Sequence, residues 1–317
     1  MNPTEPEAPN GAPDPATGEA RGRAAAPARR RAPIPRPAPG ARERVMVEGV
    51  PIAFRRMGRG PAVVLIHGAS ANLNDMTFRL APALAARHTV YAFDRPGHGE
   101  SGWPLRGGDS LSVQARLLRG ALERSGVSRA FVIGHSYGGA VGLAWALDAP
   151  RGVAGLLLLA APTHGWSGQG GVTNALIDTP VIGPMLARSL RHLLPAGVAA
   201  RVADRAFAPQ AAPSGYLAHL DLSLVLAGDS LRRNARQLGA LRRWLEPMAR
   251  RYPDLAPPLE IVHGEADPTV SLEAHSARLA AAVPGARLTR LRGVGHMPHQ
   301  VALPEVLAAF TRLRARA

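Results

Sequence analysis

The chain predicts an α/β fold, a mostly parallel sheet with helices on both faces and a helical insertion near its middle. Three observations lead there. Strand-sized apolar runs alternate with amphipathic helical stretches between residues 62 and 160, the order that parallel strands joined by crossover helices require. The run 130–133 stops at Gly134, and Gly138, Gly139 and Ala140 then open a helical pattern reaching about Ala149, so a strand passes through a sharp turn into a helix. From about Thr163 the alternation stops, and it resumes only near Ser230.

In chain order, residues 1–42 are rich in Pro, Ala and Arg, have no hydrophobic period, and bury too little to offset the entropy of ordering them. They read as a disordered tail. Runs 45–47 and 50–54, separated by Glu48-Gly49, predict an antiparallel hairpin. Ala62–Ile66 is a buried strand ending in His67-Gly68-Ala69-Ser70. A helix over about 75–87 leads to strand Thr89–Phe93 and the tight turn Asp94-Arg95-Pro96-Gly97-His98-Gly99-Glu100-Ser101. The helix over about 110–124 places Val113, Leu117, Leu118 and Leu122 on one face.

The strand before Gly134 and the next one, 155–160, continue the sheet. Residues 164–229 hold short helical pieces around 174–194, 198–207 and 216–226, interrupted by Pro180, Pro184, Pro195, Pro209 and Pro213. No strand alternates with them, so this stretch reads as a helical cap inserted into a core made of 43–163 and 230–317. The core is completed by a helix over 230–251, strand 259–262 with His263-Gly264-Glu265-Ala266-Asp267-Pro268 after it, and a helix over 272–282. Strand Arg287–Leu291, Gly293-Val294-Gly295-His296 and helix Leu303–Arg314 close the chain.

At 317 residues the chain can bury one large domain with an insertion, or two domains. It has no cysteine, which removes disulfides, thiolate chemistry and Cys-based zinc sites. The net charge of +15 comes from arginine alone, since lysine is absent; the arginines are dispersed and aromatics are few, so no stacking platform for nucleic acid is expected. No apolar run approaches the roughly 18 residues of a spanning helix. Arg29-Arg30-Arg31 precedes a Pro-rich stretch rather than an apolar one, which argues against a signal peptide and leaves the cytoplasm as the default location.

The chemistry centres on Gly134-His135-Ser136-Tyr137-Gly138, which fits G-x-S-x-G in a strand-turn-helix setting. A serine on such a turn is exposed as a nucleophile. Acyl transfer also needs a base, an acid that orients it, and donors where negative charge develops. His296, framed by glycines after the last strand, is the candidate base, with His299 its rival. Asp267 is the candidate acid, with Glu265 the weaker choice. Backbone N–H groups of Ala69 and Tyr137 are the candidate oxyanion donors, and His67 reads as a turn-shaping residue. Each falls just after a predicted strand, where open parallel sheets collect their sites. The order Ser, Asp, His is the one expected of this arrangement. No His pair has helical metal-ligand spacing, so neither metal nor cofactor is expected.

The set His67-Gly68, Asp94-Arg95-Pro96-Gly97-His98-Gly99-Glu100-Ser101, Gly134-His135-Ser136-Tyr137-Gly138-Gly139, Gly264-Glu265-Ala266-Asp267 and Gly293-Val294-Gly295-His296 resembles the α/β-hydrolase superfamily over roughly 45–317. The resemblance implies an eight-stranded, mostly parallel sheet with one antiparallel strand, a cap after the sixth strand, and the roles just assigned. Ser136 stands where haloalkane dehalogenases and epoxide hydrolases carry an Asp nucleophile. The His-Gly-Gly-Gly run of one lipase and esterase branch is absent.

The expectation is a serine hydrolase acting on a small or medium carboxylic ester with an apolar acyl part, because Leu, Val, Ala and Ile dominate the cap. Lactone, amide and carbon–carbon bond hydrolysis, and cofactor-free perhydrolysis, are alternatives within the superfamily. A non-catalytic binding protein on the same fold is the alternative from another class. Contact of the basic tail and segment 181–194 with an anionic membrane is the less favoured partner reading.

Overall fold

The computed structural model describes residues 41–165 and 204–317. The predicted tail up to residue 40, and the predicted cap pieces at 174–194 and 198–203, lie outside the described residues.

Strands β1 (Arg42–Val47) and β2 (Val50–Met57) form the expected hairpin, turned by Glu48 and Gly49, both at positive φ. β1 begins at Arg42, the last residue assigned to the tail, where the guanidinium reaches Asp94 (3.1 Å) and Asn74 (3.2 Å). The other strands are β3 (Ala62–Ile66), β4 (Thr89–Phe93), β5 (Ala130–His135), β6 (Val153–Leu159), β7 (Leu259–Gly264) and β8 (Arg287–Leu291). They lie in one sheet of eight in the order β1-β2-β4-β3-β5-β6-β7-β8. β2 alone runs against its neighbours, and every pairing from β4 to β8 is parallel. The arginine-bearing strands β1 and β8 are the two edges.

The helices are α1 (Leu73–Phe78), α2 (Leu80–Ala85), α3 (Leu111–Arg124), α4 (Tyr137–Asp148), α5 (Tyr216–Leu220) and α6 (Leu222–Val225). After them come α7 (Gly228–Ala249), α8 (Arg278–Ala282), α9 (Pro298–Val301) and α10 (Leu303–Arg314). Side-chain alternation along the strands splits the core in two. Val64, Ile66 and Val132 pack with α3, α4, α7 and α8, whereas Val63, Leu65 and Ile133 pack with α1, α2 and α10. Buried on both faces, β5 and β6 read as unbroken apolar runs.

Two predicted helices differ. The stretch 75–87 is two helices broken at Arg79, because Pro82 has no N–H for the carbonyl of Phe78 and its ring crowds that carbonyl. The stretch 272–282 starts as a π-turn over Glu273–Ala277 before α8. Of the predicted cap, residues 204–207 are helical, and α5 and α6 lie within the predicted 216–226 stretch, ending at Val225. Phe207, Tyr216 and Leu220 from this stretch pack on Ala71 and Met297 of the core in a third apolar cluster.

Candidate active site

The turn between β5 and α4 forces Ser136 to φ 51°, ψ −123°, a region that L residues seldom occupy. Its N–H donates to Leu159 O of β6 at 2.8 Å, which fixes the turn against the sheet. The flanking glycines are required by close approach: a Cβ on Gly138 would stand 2.2 Å from Ile66 O, and one on Gly134 would stand 2.4 Å from Gly138 O. Strand β3 and helix α4 can therefore meet only through glycine.

Ser136 and His296 line one cavity of about 260 Å³, together with Ala69, His135 and Asp75. Its remaining wall is apolar and includes Phe207, Leu217, Leu220, Val225, Leu226 and Met297. His296 Nδ1 donates to Asp267 Oδ2 at 2.7 Å, leaving its other ring nitrogen free of that bond. Asp267 also accepts the Thr269 and Val270 N–H groups on Oδ1 (2.7 and 2.9 Å) and His263 Nε2 on Oδ2 (3.0 Å). Burial alone would raise the Asp267 pKa, but the bonds from His263 and His296 outweigh it and hold the carboxyl well below the ordinary carboxylate range. Tyr137 is the first residue of α4, where a backbone N–H has no acceptor within the helix and the helix dipole favours negative charge. No acceptor stands against the Ala69 N–H among the described residues.

The rivals separate cleanly. His299 is fully buried and pairs with Asp75 (3.1 and 3.2 Å) rather than with Asp267, and Glu265 is exposed. His67 holds its own loop: Nδ1–H donates to Gly68 O at 2.8 Å and Nε2 accepts the Arg95 N–H at 3.0 Å. Burial, then the Arg95 charge, lowers the His67 pKa to about 3, so the ring is neutral.

Sequence reasoning missed two groups. His263 supports Asp267 from the end of β7, four residues away, while its Nδ1 contacts Ser276 Oγ at 2.6 Å; a histidine at a strand end just before the candidate acid was its only signal. Asp75 lines the cavity and accepts from Tyr216 Oη (2.9 Å), Gln300 Nε2 (3.1 Å) and His299 Nε2. Burial would raise its pKa, yet the His299 partner keeps it well below the ordinary range. Asp75, His135 and His299 bring potential ligand atoms within 4.8 Å of one another, but Asp75 Oδ1 already accepts three hydrogen bonds and His299 Nε2 is engaged with both carboxylate oxygens, so the group fits a hydrogen-bonded cluster better than a metal site.

The model of the alpha/beta hydrolase family matches residues 63–310. The chain belongs to that family. This hydrolase is similar to an uncharacterised protein of Mycobacterium tuberculosis, 31% identical over 265 residues that cover 80% of this chain and 74% of the relative. It also resembles the dihydrolipoyllysine-residue acetyltransferase component of the acetoin cleaving system of Cupriavidus necator, 35% identical over 150 residues. That match takes in 47% of the hydrolase and spans only 37% of the relative's length. Among solved structures, the esterase RhEst1 from Rhodococcus sp. ECU1013 superposes with a TM-score of 0.67 at 24% identity, covering 88% of this chain and all of the esterase (100%). Among the described residues of the hydrolase, no helix is long and apolar enough to cross a membrane.

Proposed function

We propose that the hydrolase cleaves carboxylic esters with an apolar acyl part through Ser136, His296 and Asp267. The observation that carries this reading is the 2.7 Å bond from His296 Nδ1 to Asp267, with the ring on the same cavity wall as a serine held at positive φ. His296 takes the Ser136 hydroxyl proton as the oxygen attacks the ester carbonyl. The oxyanion is received by the N–H groups of Ala69 and Tyr137, and His296 returns the proton to the departing alcohol. Water, activated by the same ring, then releases the acid and restores Ser136. Residues 164–229 act as the cap, supplying Phe207, Leu217, Leu220 and Val225 to the acyl side of the cavity. The substrate is a small molecule, and no nucleic acid is needed.

A fluorophosphonate probe is expected to label the wild type and not Ser136→Ala. The variant should also lose ester turnover by a factor on the order of 10⁶. With p-nitrophenyl esters, each added methylene should raise kcat/KM roughly fourfold, the equivalent of about 0.8 kcal/mol, until the cavity is full. A flat profile would remove the apolar acyl pocket from this reading, and an unlabelled wild type would remove the nucleophile.

A further inference from the structure

Arg95 is 0% exposed, and the charge on its guanidinium faces no carboxylate among the described residues. Burial lowers its pKa to about 10, which leaves it cationic at neutral pH. A buried, unneutralised cation is costly, so its partners carry information.

All five of its side-chain N–H groups are used, and every acceptor is neutral. Nε donates to His67 O (3.1 Å), Nη1 to Gln114 Oε1 (3.1 Å) and Gln237 Oε1 (2.6 Å), and Nη2 to Gly68 O (3.0 Å) and His98 Nε2 (3.2 Å). The guanidinium carbon lies 4.4 Å from the centre of the Tyr137 ring. Both loops that would supply oxyanion donors therefore touch one cation.

The carbonyl of Gly68 and the N–H of Ala69 belong to the same peptide group. That carbonyl accepts two bonds, from Arg95 Nη2 and from His67 Nδ1 (2.8 Å). A trans peptide directs its N–H opposite to its C=O, and drawing electron density toward the oxygen makes the N–H a stronger donor. We infer that Arg95, with His67 as its partner, is a positioning residue that polarises the Gly68-Ala69 peptide and stabilises the oxyanion formed on Ser136. This rests on the triad reading above and assigns function to two residues outside that triad. A lysine could supply the charge but not the planar fork that reaches His67 O and Gly68 O together.

The test compares wild type, Arg95→Lys, Arg95→Met and His67→Asn, with active enzyme counted by fluorophosphonate titration so that misfolded protein drops out. Each is assayed for ester kcat and KM and for binding of a trifluoromethyl ketone, whose Ser136 hemiketal carries an oxyanion, with the hemiketal pKa read by fluorine NMR.

The expected result for Arg95→Met is a kcat lower by about 10- to 100-fold, somewhat less than the loss on removing a direct oxyanion donor, with KM within about threefold. Ketone affinity should fall in parallel, and the hemiketal pKa should rise. Arg95→Lys and His67→Asn should move the same way by less, and His67→Asn carries the test should both Arg95 variants fail to fold. Unchanged kcat per titrated site and unchanged hemiketal pKa in the folded variants would overturn the inference while leaving the triad standing. A wild type that neither reacts with the probe nor binds the ketone would overturn both.

Discussion

At the scale of single residues, Asp267 is the point where the site's charge is set. It holds His296 on one oxygen lobe, and the second histidine, His263, shares that lobe while two backbone N–H groups occupy the other oxygen. Asp267→Asn keeps the shape but offers an amide that cannot accept all of these bonds. A fall in ester kcat on the order of 10⁴ is expected, as when a triad acid is neutralised elsewhere. His263→Phe should act more mildly, about tenfold in kcat with KM unchanged, because Asp267 keeps its other donors; steady-state kinetics on one chromogenic ester reads both. Ser136, Asp267 and His296 could be nominated from the sequence because each follows a strand and has a glycine within three residues, a signal carried by neighbouring letters. Arg95, Asp75 and His263 were not legible in those roles. Gln237 for Arg95 and His299 for Asp75 lie more than 100 residues away and only the folded chain brings them together, while His263 stands four residues from Asp267 but nothing in the letters says which way its ring turns.

At the scale of elements, the inner strands were legible because apolar runs such as those of β3 and β6 mark them directly, while the arginine-bearing edge strands β1 and β8 were legible from short alternating segments and their place in the order. Helix interruptions were harder. The break at Arg79 depends on where Pro82 falls relative to the carbonyl of Phe78, and the π-turn before α8 has no compositional mark. Glycines divide into two kinds that sequence alone does not distinguish. Gly138→Ala would press a Cβ within 2.2 Å of Ile66 O, a backbone atom that cannot move without shifting β3. A loss of about 3 kcal/mol or more is expected, visible as insoluble or unfolded protein. Gly239, inside α7, faces open space on its Cβ side. Gly239→Ala should stabilise by about 0.5–1 kcal/mol, raising the urea midpoint without changing the slope.

At the scale of the whole molecule, the buried histidines govern acid stability. His67 is lowered to about 3 and His164 and His275 to about 4, while His98 and His135 lie well below the ordinary imidazole value, each chiefly through burial. Between pH 6.5 and about 4 these rings stay neutral in the fold but take up protons when unfolded, so stability falls as the solution is acidified. Asp94 works the other way: burial raises its pKa to about 6, so it binds its proton earlier in the folded state and gains stability as pH drops through 6. Five such histidines oppose one carboxyl, and the net proton uptake on unfolding should be positive in this window. Below the ordinary carboxylate range the contributions of Asp75 and Asp267 are lost as well, since their pKa values are depressed in the fold. Urea midpoints should stay nearly level from pH 8 to about 7 and decline from there to pH 4; a midpoint that rises across that lower window would contradict this balance.

The two outer strands of the sheet give the arginine content a consequence beyond net charge. β1 carries Arg42 and Arg44, and β8 carries Arg287 and Arg290, so among the described residues both open margins of hydrogen-bonding backbone are flanked by cations. Arg42 and Arg44 are paired with Asp94 and Glu100, and Arg290 with Glu273, so a second copy approaching either margin to extend the sheet must desolvate charged groups and crowd their ion pairs. The composition that says least about catalysis thus works as a fence against sheet-to-sheet growth, and light scattering should show association rising with salt as the repulsion between copies, each with a net charge of +15, is screened.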